Sequence, residues 1–497
     1  MRKKFKNIQT SGKAVAGVKS RDAKSVAMLL REHSQEGYIP FHMPGHKRSK
    51  DYSFLSNLQE MDITEIEGFD NLHNCNGVLA DAQRRAADLY GVRESRYLTC
   101  GSTAGVLAAI RAMTSSGDGI LVARNCHRSV YNAVELCGLR PYYVAPAYFE
   151  EYGFYGSVMP EDIANALDEH PDVTLVVVTS PTYEGVISDI KSIAAICRSH
   201  NAKLFVDEAH GAHLGLCKKF EQSARNLGAD VVVNSLHKTL PCLTQTAILH
   251  ICSDNVDVNA IDRNLAVFQT SSPSYVLMAS IEGCMRFFEC DGLRELDRWS
   301  EQVDKFRRSL SRFKRIRLFN GNGEGRVFAY DKTKLVFLTV DSAISGISFM
   351  RELRGDYKIE LEMASANYAL AMTGAGDSLN AYLALSEAVF AMENSVNERY
   401  GLVNINNVKI PKKVFEPHET YKLNCEFANL DTSTGLVCAE NVWAYPPGCP
   451  IICKGEKISP DFIRHAMFLY ESGVSVESER KQFPDRIYVV AQAPEKE

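Results

Sequence analysis

A lysine suited to covalent chemistry follows a short apolar strand near the middle of the chain. The strand is predicted over residues 230–233 and leads into Ser235, His237 and Lys238. An ammonium group at the end of a buried strand loses hydration, which lowers its pKa and leaves a nucleophilic amine. Such an amine forms Schiff bases with carbonyl compounds. For a Ser-x-His-Lys sequence on its own, the commoner alternative is a lysine that ends a strand and reaches into water.

A second candidate site lies at Gly101, Ser102 and Thr103, between a predicted strand and an apolar helix. Glycine, two hydroxyl groups and a helix N-terminus together favour an anion, because free backbone N–H groups and the positive end of the helix dipole face the same point. The alternative is structural, with Ser102 as the cap of the helix. The residues alone leave both interpretations open.

Strands and helices alternate after this point, as a mainly parallel sheet requires. The strands are predicted over residues 120–123, 141–144, 174–178, 203–206 and 231–233. Ligands bind at the carboxyl ends of strands in open α/β sheets. Polar clusters follow most of these strands, at residues 124–127, 180–185, 207–211 and 235–238. Their repeated placement predicts one binding site at this edge of the sheet.

Asp207 and His127 have specific chemical interpretations within that site. Asp207 follows a fully apolar strand, where a lone carboxylate is costly unless it has a cationic partner such as a protonated ring nitrogen. Its alternative role is to cap the following turn. His127 is placed to stack on an aromatic cofactor, although an isolated loop histidine is the commoner case.

Two histidines, His42 and His46, have a spacing found in metal sites. Pro44 and Gly45 between them break any helix that would align the two rings. A zinc site also needs further ligands at fixed spacing, and the neighbouring sequence supplies none. We therefore expect an ordered polar loop beside a binding site here, not a metal centre.

Composition and charge limit the class of protein. The chain has 497 residues, of which 45% are hydrophobic and 24% charged, as in a soluble globular protein with several domain-sized units. The net charge of -5 argues against a nucleic-acid partner or a membrane-surface role. No apolar run has the length of a membrane span, and 14 scattered cysteines without a Cys-x-x-Cys pair favour the reducing cytoplasm. A basic stretch within the first twenty or so residues predicts a solvated arm.

These motifs together resemble the pyridoxal-phosphate (PLP)-dependent ornithine/lysine/arginine decarboxylase family, in its short bacterial form. The resemblance runs in the family's order from near residue 38 to the C-terminus. The chain differs from the family at Cys449, where an aliphatic residue is usual, and at Lys454, where proline is usual; these differences bear on the substrate, not on cofactor use. The matching motifs lie at residues 41–47, 101–103, 180–183, 207–211, 235–238, 270–273 and 445–448.

The resemblance implies an α/β fold of the aspartate-aminotransferase-like, PLP-dependent transferase class. With it we predict a large PLP-binding domain that has a mainly parallel sheet, and a smaller α+β C-terminal part. The expected divisions are an arm and helix at 1–37, the large domain at 38–300, a small α+β domain at 301–403 and a C-terminal decarboxylase-family domain at 404–497. We also expect a cytoplasmic homodimer or higher homo-oligomer with shared active sites, acting on a small amino acid, without nucleic acid or membrane as partner.

The resemblance further implies roles for individual residues. Lys238 would hold PLP covalently, Asp207 would pair with the ring nitrogen, and His127 would stack on the ring. The other implied cofactor contacts are Ser102, Thr103, Ser235 and His237 at the phosphate, Ala209 and His210 on the other side of the ring, Thr182 near the ring hydroxyl, and Thr270 and Ser272 reaching in from a partner subunit.

The implied reaction is that of a carbon–carbon lyase of polyamine metabolism. It is the decarboxylation of a basic amino acid, arginine first and lysine or ornithine next, to an amine and CO2. One alternative is aminotransfer or another reaction at Cα, although no motif singles out the C-terminal-domain arginine that usually clamps the substrate carboxylate in aminotransferases of this fold. The other is a non-catalytic PLP-binding paralogue, which only the basic N-terminal arm supports.

Overall fold

The computed structural model describes residues 33, 35–52, 61–290, 292–398, 409–445 and 448–491. The chain divides into two compact units, Met1–Tyr38 and Ile39–Glu497. In the first unit, the rings of His33 and Tyr38 stack. The predicted basic arm and almost all of the predicted N-terminal helix lie outside the described residues, as does the predicted start of the C-terminal domain at 404.

Helices and strands alternate along the second unit. The described α-helices are α1 (Val78–Tyr90), α2 (Gly101–Met113), α3 (Arg128–Cys137), α4 (Pro160–Glu169), α5 (Ile190–Ser199), α6 (Leu236–Thr239), α7 (Val258–Phe268), α8 (Tyr275–Cys290), α9 (Gly292–Ser309), α10 (Gly346–Tyr357), α11 (Leu379–Ser395) and α12 (Pro460–Glu471). The described strands are β1 (Ile39–Phe41), β2 (Glu94–Leu98), β3 (Gly119–Ala123), β4 (Arg140–Val144), β5 (Tyr148–Phe149), β6 (Phe154–Tyr155), β7 (Val173–Thr179), β8 (Val186–Ile187), β9 (Lys203–Asp207), β10 (Val231–Asn234), β11 (Ala247–Ile251), β12 (Arg317–Leu318), β13 (Ala329–Tyr330), β14 (Lys334–Leu338), β15 (Ile359–Leu361), β16 (Met363–Ala364), β17 (Tyr368–Met372), β18 (Cys425–Asn429), β19 (Val442–Tyr445), β20 (Cys449–Ile452), β21 (Ser475–Ser478) and β22 (Arg486–Val490).

A seven-stranded sheet in the order β2-β11-β10-β9-β7-β3-β4 lies at the centre of this unit. Strand β11 is antiparallel to both of its neighbours, and the other adjacent pairs are parallel. Strands β3, β10 and β11 are buried along their whole length, as strands covered by helices on both faces are. The predicted mainly parallel sheet is therefore confirmed.

Local interactions determine where two of the helices end, and one of them is shorter than its sequence predicts. Apolar residues at 79, 82, 86 and 89 predict a helix from about 78 to 90; α1 spans these residues and ends at Gly91, which has φ +64°. The amphipathic, charged pattern predicts a long helix from 293 to about 314, but α9 ends at Ser309. Beyond it, the carboxylate of Glu393 accepts hydrogen bonds from the backbone N–H groups of residues 314–316. These bonds hold the segment in an irregular turn that leads into β12.

Smaller sheets complete the unit. Strands β12, β14, β17 and β16 form an antiparallel sheet, and β20, β19 and β21 form another near the C-terminus. A separate apolar cluster in the C-terminal part contains residues of α12, β19 and β22. The domain divisions at 300 and 403 stay predictions. None of the helices in the described part of the chain combines the length and apolar character needed to cross a membrane.

Candidate active site

The parallel strands deliver the predicted residues to one cavity at their carboxyl ends. The cavity has a volume of about 380 Å³. Strands β3, β7, β9 and β10 each end beside it, as ligand sites of open α/β sheets do. Its lining includes Ser102, Thr103, His127, Thr182, Asp207, Ala209, His210, Ser235, His237 and Lys238. The sequence therefore predicted a real spatial cluster.

Lys238 lies in the short helix α6, directly after β10. Its Nζ atom is 2.9 Å from Nε2 of His210. Burial lowers the pKa of Lys238 to about 8, and Asp207 opposes that shift. Burial, with Lys238 next in effect, also lowers the pKa of His210 well below its usual value. The imidazole is therefore neutral at physiological pH, and much of the lysine is available as a free amine near pH 8.

The loop after β1 packs against the backbone of helix α6, which carries Lys238. The Gly45 N–H donates to the carbonyl of His237 at 2.7 Å. A Cβ atom on Gly45 would lie 2.6 Å from the carbonyl carbon of Thr239, so only glycine allows this close approach. Lys47 fixes the loop by donating from Nζ to the carbonyls of His42 and Met372 at 2.6 and 2.8 Å. Among the described residues, no group of three or more His, Cys, Asp or Glu side chains could hold a metal.

Asp207 ends β9 and is 4% exposed. Its Oδ1 atom accepts a hydrogen bond from the Ala209 N–H at 3.1 Å, so the turn-capping role is present. Burial raises the pKa of Asp207, while Lys238 and the Ala209 N–H act against that shift. This carboxylate forms no ion pair within the described part of the chain, and it lines the cavity. A cationic ring nitrogen would satisfy it.

His127 serves as the N-cap of α3. Its Nδ1 accepts from the Ser129 N–H at 3.2 Å and lies 2.8 Å from Ser129 Oγ. Burial lowers the pKa of His127 to about 3, with Lys238 and Arg128 adding to the effect. The ring is therefore neutral and oriented, which suits contact with an aromatic ligand.

Helix α2 begins beside the cavity in a geometry that favours an anion. It starts at Gly101, which has φ +74°, and no side chain caps it. The alternative in which Ser102 caps the helix is therefore wrong, because Ser102 already lies inside the first turn. Its Oγ instead accepts from Ser235 Oγ at 2.9 Å. A phosphate group would suit this position, because the hydroxyls of Ser102, Ser235 and Thr103 lie beside an uncapped helix N-terminus.

Two residues of the cavity wall, Asn125 and Thr179, were not assigned an individual role from the sequence. The atoms Asn125 Oδ1, Thr179 Oγ1 and His210 Nδ1 are buried and have no hydrogen-bond partner among the described residues. Buried polar atoms without partners are costly, so a bound molecule with matching polar groups would stabilise them. Asn125 lies within the polar cluster at 124–127 and Thr179 directly precedes the cluster at 180–185, and that position was the available signal.

Comparison with known protein families shows which kind of enzyme this chain is. A sequence model described as Orn/Lys/Arg decarboxylase, major domain, matches residues 26–334, more than half of the chain. The chain belongs to the Orn/Lys/Arg decarboxylase family. Membership confirms the prediction of an enzyme that decarboxylates a basic amino acid.

Individual relatives agree with the family assignment. The arginine decarboxylase of Bacillus subtilis (strain 168) is 29% identical over 459 residues, which are 90% of this chain and 94% of that protein. The uncharacterized protein YaaO of the same organism is 31% identical over 473 residues, 91% of this chain and 95% of the relative.

Solved structures show the same fold at low identity. The constitutive lysine decarboxylase of Escherichia coli has a TM-score of 0.72 at 18% identity, covering 94% of this chain and 81% of that one. The ureidoglycine-glyoxylate aminotransferase of Bacillus subtilis has a TM-score of 0.55 at 16% identity, covering 73% and 94%. The aspartate-aminotransferase-like fold class is thus confirmed for this decarboxylase.

Two predicted cofactor contacts of the decarboxylase lie away from the cavity lining. Thr270 and Ser272 are exposed in the segment between α7 and α8. The Ser272 N–H donates to Thr270 Oγ1 at 3.2 Å, and the Thr270 carbonyl is 2.8 Å from Nε2 of His73. Their contribution to a partner's site stays a prediction.

The two departures from the family pattern have different surroundings. Cys449 lines the cavity, and its Sγ donates to the carbonyl of Asn125 at 3.0 Å. Lys454 does not line the cavity; its Nζ lies 2.9 Å from carboxylate oxygens of Glu135 and Glu479. Of the two, Cys449 alone contacts the space where a substrate would bind, so the expectation that Lys454 also bears on the substrate is not supported by its position.

Proposed function

We propose that this decarboxylase binds PLP covalently through Lys238 and removes the α-carboxylate of arginine, with lysine and ornithine as the next candidates. The observation that carries the proposal is the joint presence of Lys238 and Asp207 in one cavity, after the adjacent parallel strands β10 and β9. Curated relatives named arginine decarboxylase, 28–29% identical over 90% of the chain, support arginine over the other two.

The residues around the start of α2 would hold the phosphate. Ser102, Thr103 and Ser235 offer hydroxyl donors next to the helix N-terminus. His237 lies beside them, with its ring fixed by the Nδ1 contact to the Thr246 carbonyl at 2.9 Å. A dianionic group would be favoured here by the helix N-terminus and the neighbouring hydroxyl donors.

The remaining contacts would hold the ring. The neutral imidazole of His127 would lie against one side, and Ala209 and His210 would line the other. Thr182, whose Oγ1 accepts from the Val186 N–H at 3.2 Å, would lie near the ring hydroxyl. When bound, PLP supplies an electron sink for the carbanion that CO2 loss leaves behind. Asp207 sustains that effect by holding a proton on the ring nitrogen.

We further propose that the active unit is a homodimer or larger homo-oligomer that works in the cytoplasm. In this arrangement Thr270 and Ser272 of one chain would contribute to the phosphate site of the neighbour. Their exposure on the surface, outside the cavity of their own chain, is compatible with such sharing.

The experiment is a product assay on purified protein supplied with PLP. L-arginine, L-lysine and L-ornithine are offered separately, and CO2 and the amine are quantified. The expected result is equal amounts of CO2 and agmatine from arginine, with slower release from the other two. A keto acid in place of CO2 would indicate aminotransfer. Bound PLP without product from any of the three would indicate the non-catalytic alternative.

A further inference from the structure

We propose that Glu184 binds the distal cationic group of the substrate and so selects basic amino acids. The proposal rests on the proposed function, because it concerns the same cavity. Glu184 lines that cavity together with Lys238 and Asp207 and is only 6% exposed.

A tight turn holds Glu184 at the cavity wall. The Gly185 N–H donates to the Thr182 carbonyl at 3.0 Å, and the Thr182 N–H donates to the Val186 carbonyl at 2.8 Å. Gly185 has φ +100°, and a Cβ there would lie 2.7 Å from Cγ of Lys334. The main chain around Glu184 is therefore fixed from both sides, which limits the positions open to its carboxylate.

The Glu184 carboxylate has hydrogen-bond donors, including Tyr368 and Thr182, but no cation within the described residues. Tyr368 Oη donates to its Oε1 at 2.8 Å, and no ion pair involves it within the described residues. Buried Glu456, by contrast, lies 2.8 Å from a guanidinium nitrogen of Arg124. A buried carboxylate without a cation is costly, and a ligand that carries one would remove that cost. Burial accordingly raises the pKa of Glu184.

Aromatic rings that could bind a cation lie in the same cavity as Glu184. Tyr148, Tyr155 and Tyr368 line the cavity. Tyr368 lies directly beside Glu184, because its Oη donates to Oε1 of that carboxylate at 2.8 Å. Tyrosine faces attract ammonium and guanidinium groups, and a carboxylate among them adds direct charge pairing.

The positions of Lys238 and Glu184 in one cavity would also orient the substrate. Glu184 and Asp207 line the same cavity as Lys238 and Cys449. An amino acid whose α-amino group reacts at Lys238 would extend its side chain toward Glu184. Neutral side chains would leave this carboxylate unpaired, and acidic ones would be repelled.

The experiment compares PLP-loaded wild type with Glu184→Gln, Glu184→Asp and Glu150→Gln. Glutamine keeps the acceptor for Tyr368 and removes only the charge. The exposed Glu150 is the matched control, because its charge also acts on Tyr148 but it does not line the cavity. The measured quantities are the KM for arginine, the inhibition constant of citrulline, which is the uncharged isostere of arginine, and the calorimetric Kd of agmatine.

We expect Glu184→Gln to raise the arginine KM and the agmatine Kd by about 100-fold or more, as for removing one partner of a buried charge pair. Citrulline inhibition should change by less than about threefold, because this ligand has no charge to lose. Glu184→Asp should keep a preference for arginine over citrulline, and Glu150→Gln should behave as wild type. The visible spectrum of bound PLP verifies that each variant is loaded.

An arginine KM and agmatine Kd within about threefold of wild type in Glu184→Gln would overturn the proposal, since a buried ion pair is worth more than that. Equal losses for arginine and citrulline in both Glu184 variants would also overturn it, because shape and not charge would then be responsible. If wild type decarboxylates no basic amino acid, the proposed function fails. The charge dependence of agmatine binding then decides the role of Glu184 by itself.

Discussion

Nζ of Lys238 and Nε2 of His210 lie 2.9 Å apart in the wall of the cavity. Burial lowers the pKa of both groups, and each cation would disfavour the other. Because His210 is neutral at physiological pH, it can accept a hydrogen bond from the protonated lysine and leave the deprotonated amine free to attack a carbonyl.

Replacement of Lys238 by alanine should abolish covalent cofactor binding. The visible absorbance of lysine-bound PLP should disappear, and turnover should fall by about 10³-fold or more, in the range of a lost catalytic group. The measurements are the absorption spectrum and mass spectrometry after borohydride reduction. The exposed Lys218→Ala serves as control and should keep both signals. A reducible cofactor adduct that persists in Lys238→Ala would show that another lysine carries PLP.

Cofactor attachment should depend on pH through the same lysine. Since burial places the pKa of Lys238 at about 8, the free amine increases as pH rises through that value. The rate at which PLP attaches to apoprotein should therefore rise about tenfold per pH unit below 8 and level off above about 9. Stopped-flow absorbance measures this rate, and Nα-acetyllysine, with an unperturbed pKa of about 10.4, is the control. A midpoint equal to that of the free lysine derivative would contradict the lowered pKa.

Much of this cavity could be predicted because its residues directly follow apolar strands. Strands β7 and β10 are covered on both faces, so they are continuous apolar runs in the sequence, and the polar residues after them mark the edge of the sheet. Asp207 and Lys238 were found in this way. At most strand ends, the predicted boundary differs from the boundary in the structure by one residue. The end residues join or leave a strand according to their hydrogen bonds with neighbouring strands, which the sequence does not show.

Contacts between distant segments could not be predicted. Tyr368 begins β17 and meets Glu184 across 184 positions of the sequence, so no local pattern joins them. The sequence could not exclude the alternative in which Ser102 caps its helix, for a different reason. Gly101 adopts a positive φ that starts the helix before the serine, and the sequence gives no sign of which residue takes that conformation.

Replacement of Asp207 by asparagine should leave PLP bound while slowing the reaction. A neutral amide cannot stabilise a protonated ring nitrogen, so turnover should fall by about 10²-fold or more, as for one lost preorganised electrostatic group. The decarboxylation rate and the PLP content of the same preparation are the two measurements. Because Asp207 also accepts from the Ala209 N–H, asparagine retains an oxygen for the turn. Turnover close to wild type would mean that the turn cap is its whole role.

Lys454 should contribute to stability and not to substrate choice. Its buried ammonium lies between the carboxylates of Glu135 and Glu479, so Lys454→Met would leave two acids facing each other. We expect a loss of about 2–3 kcal/mol in the free energy of unfolding, below the full cost of a buried pair because Glu479 is partly exposed. Urea unfolding measures it. The exposed Lys457→Met is the control, and equal midpoints for the two variants would contradict the prediction.

Sharing of active sites between subunits can be tested by complementation. Lys238→Ala and the double variant Thr270→Ala/Ser272→Ala are purified separately, and the double variant must first be severely impaired by itself. In a mixed dimer, one composite site would receive both lesions and the other neither, because an isologous interface makes each site draw on both chains. Activity should recover toward about half of wild type per mixed dimer. Subunit exchange is verified with differently tagged chains. If the chains exchange and no activity returns, Thr270 and Ser272 act within their own chain, and the shared-site arrangement is wrong.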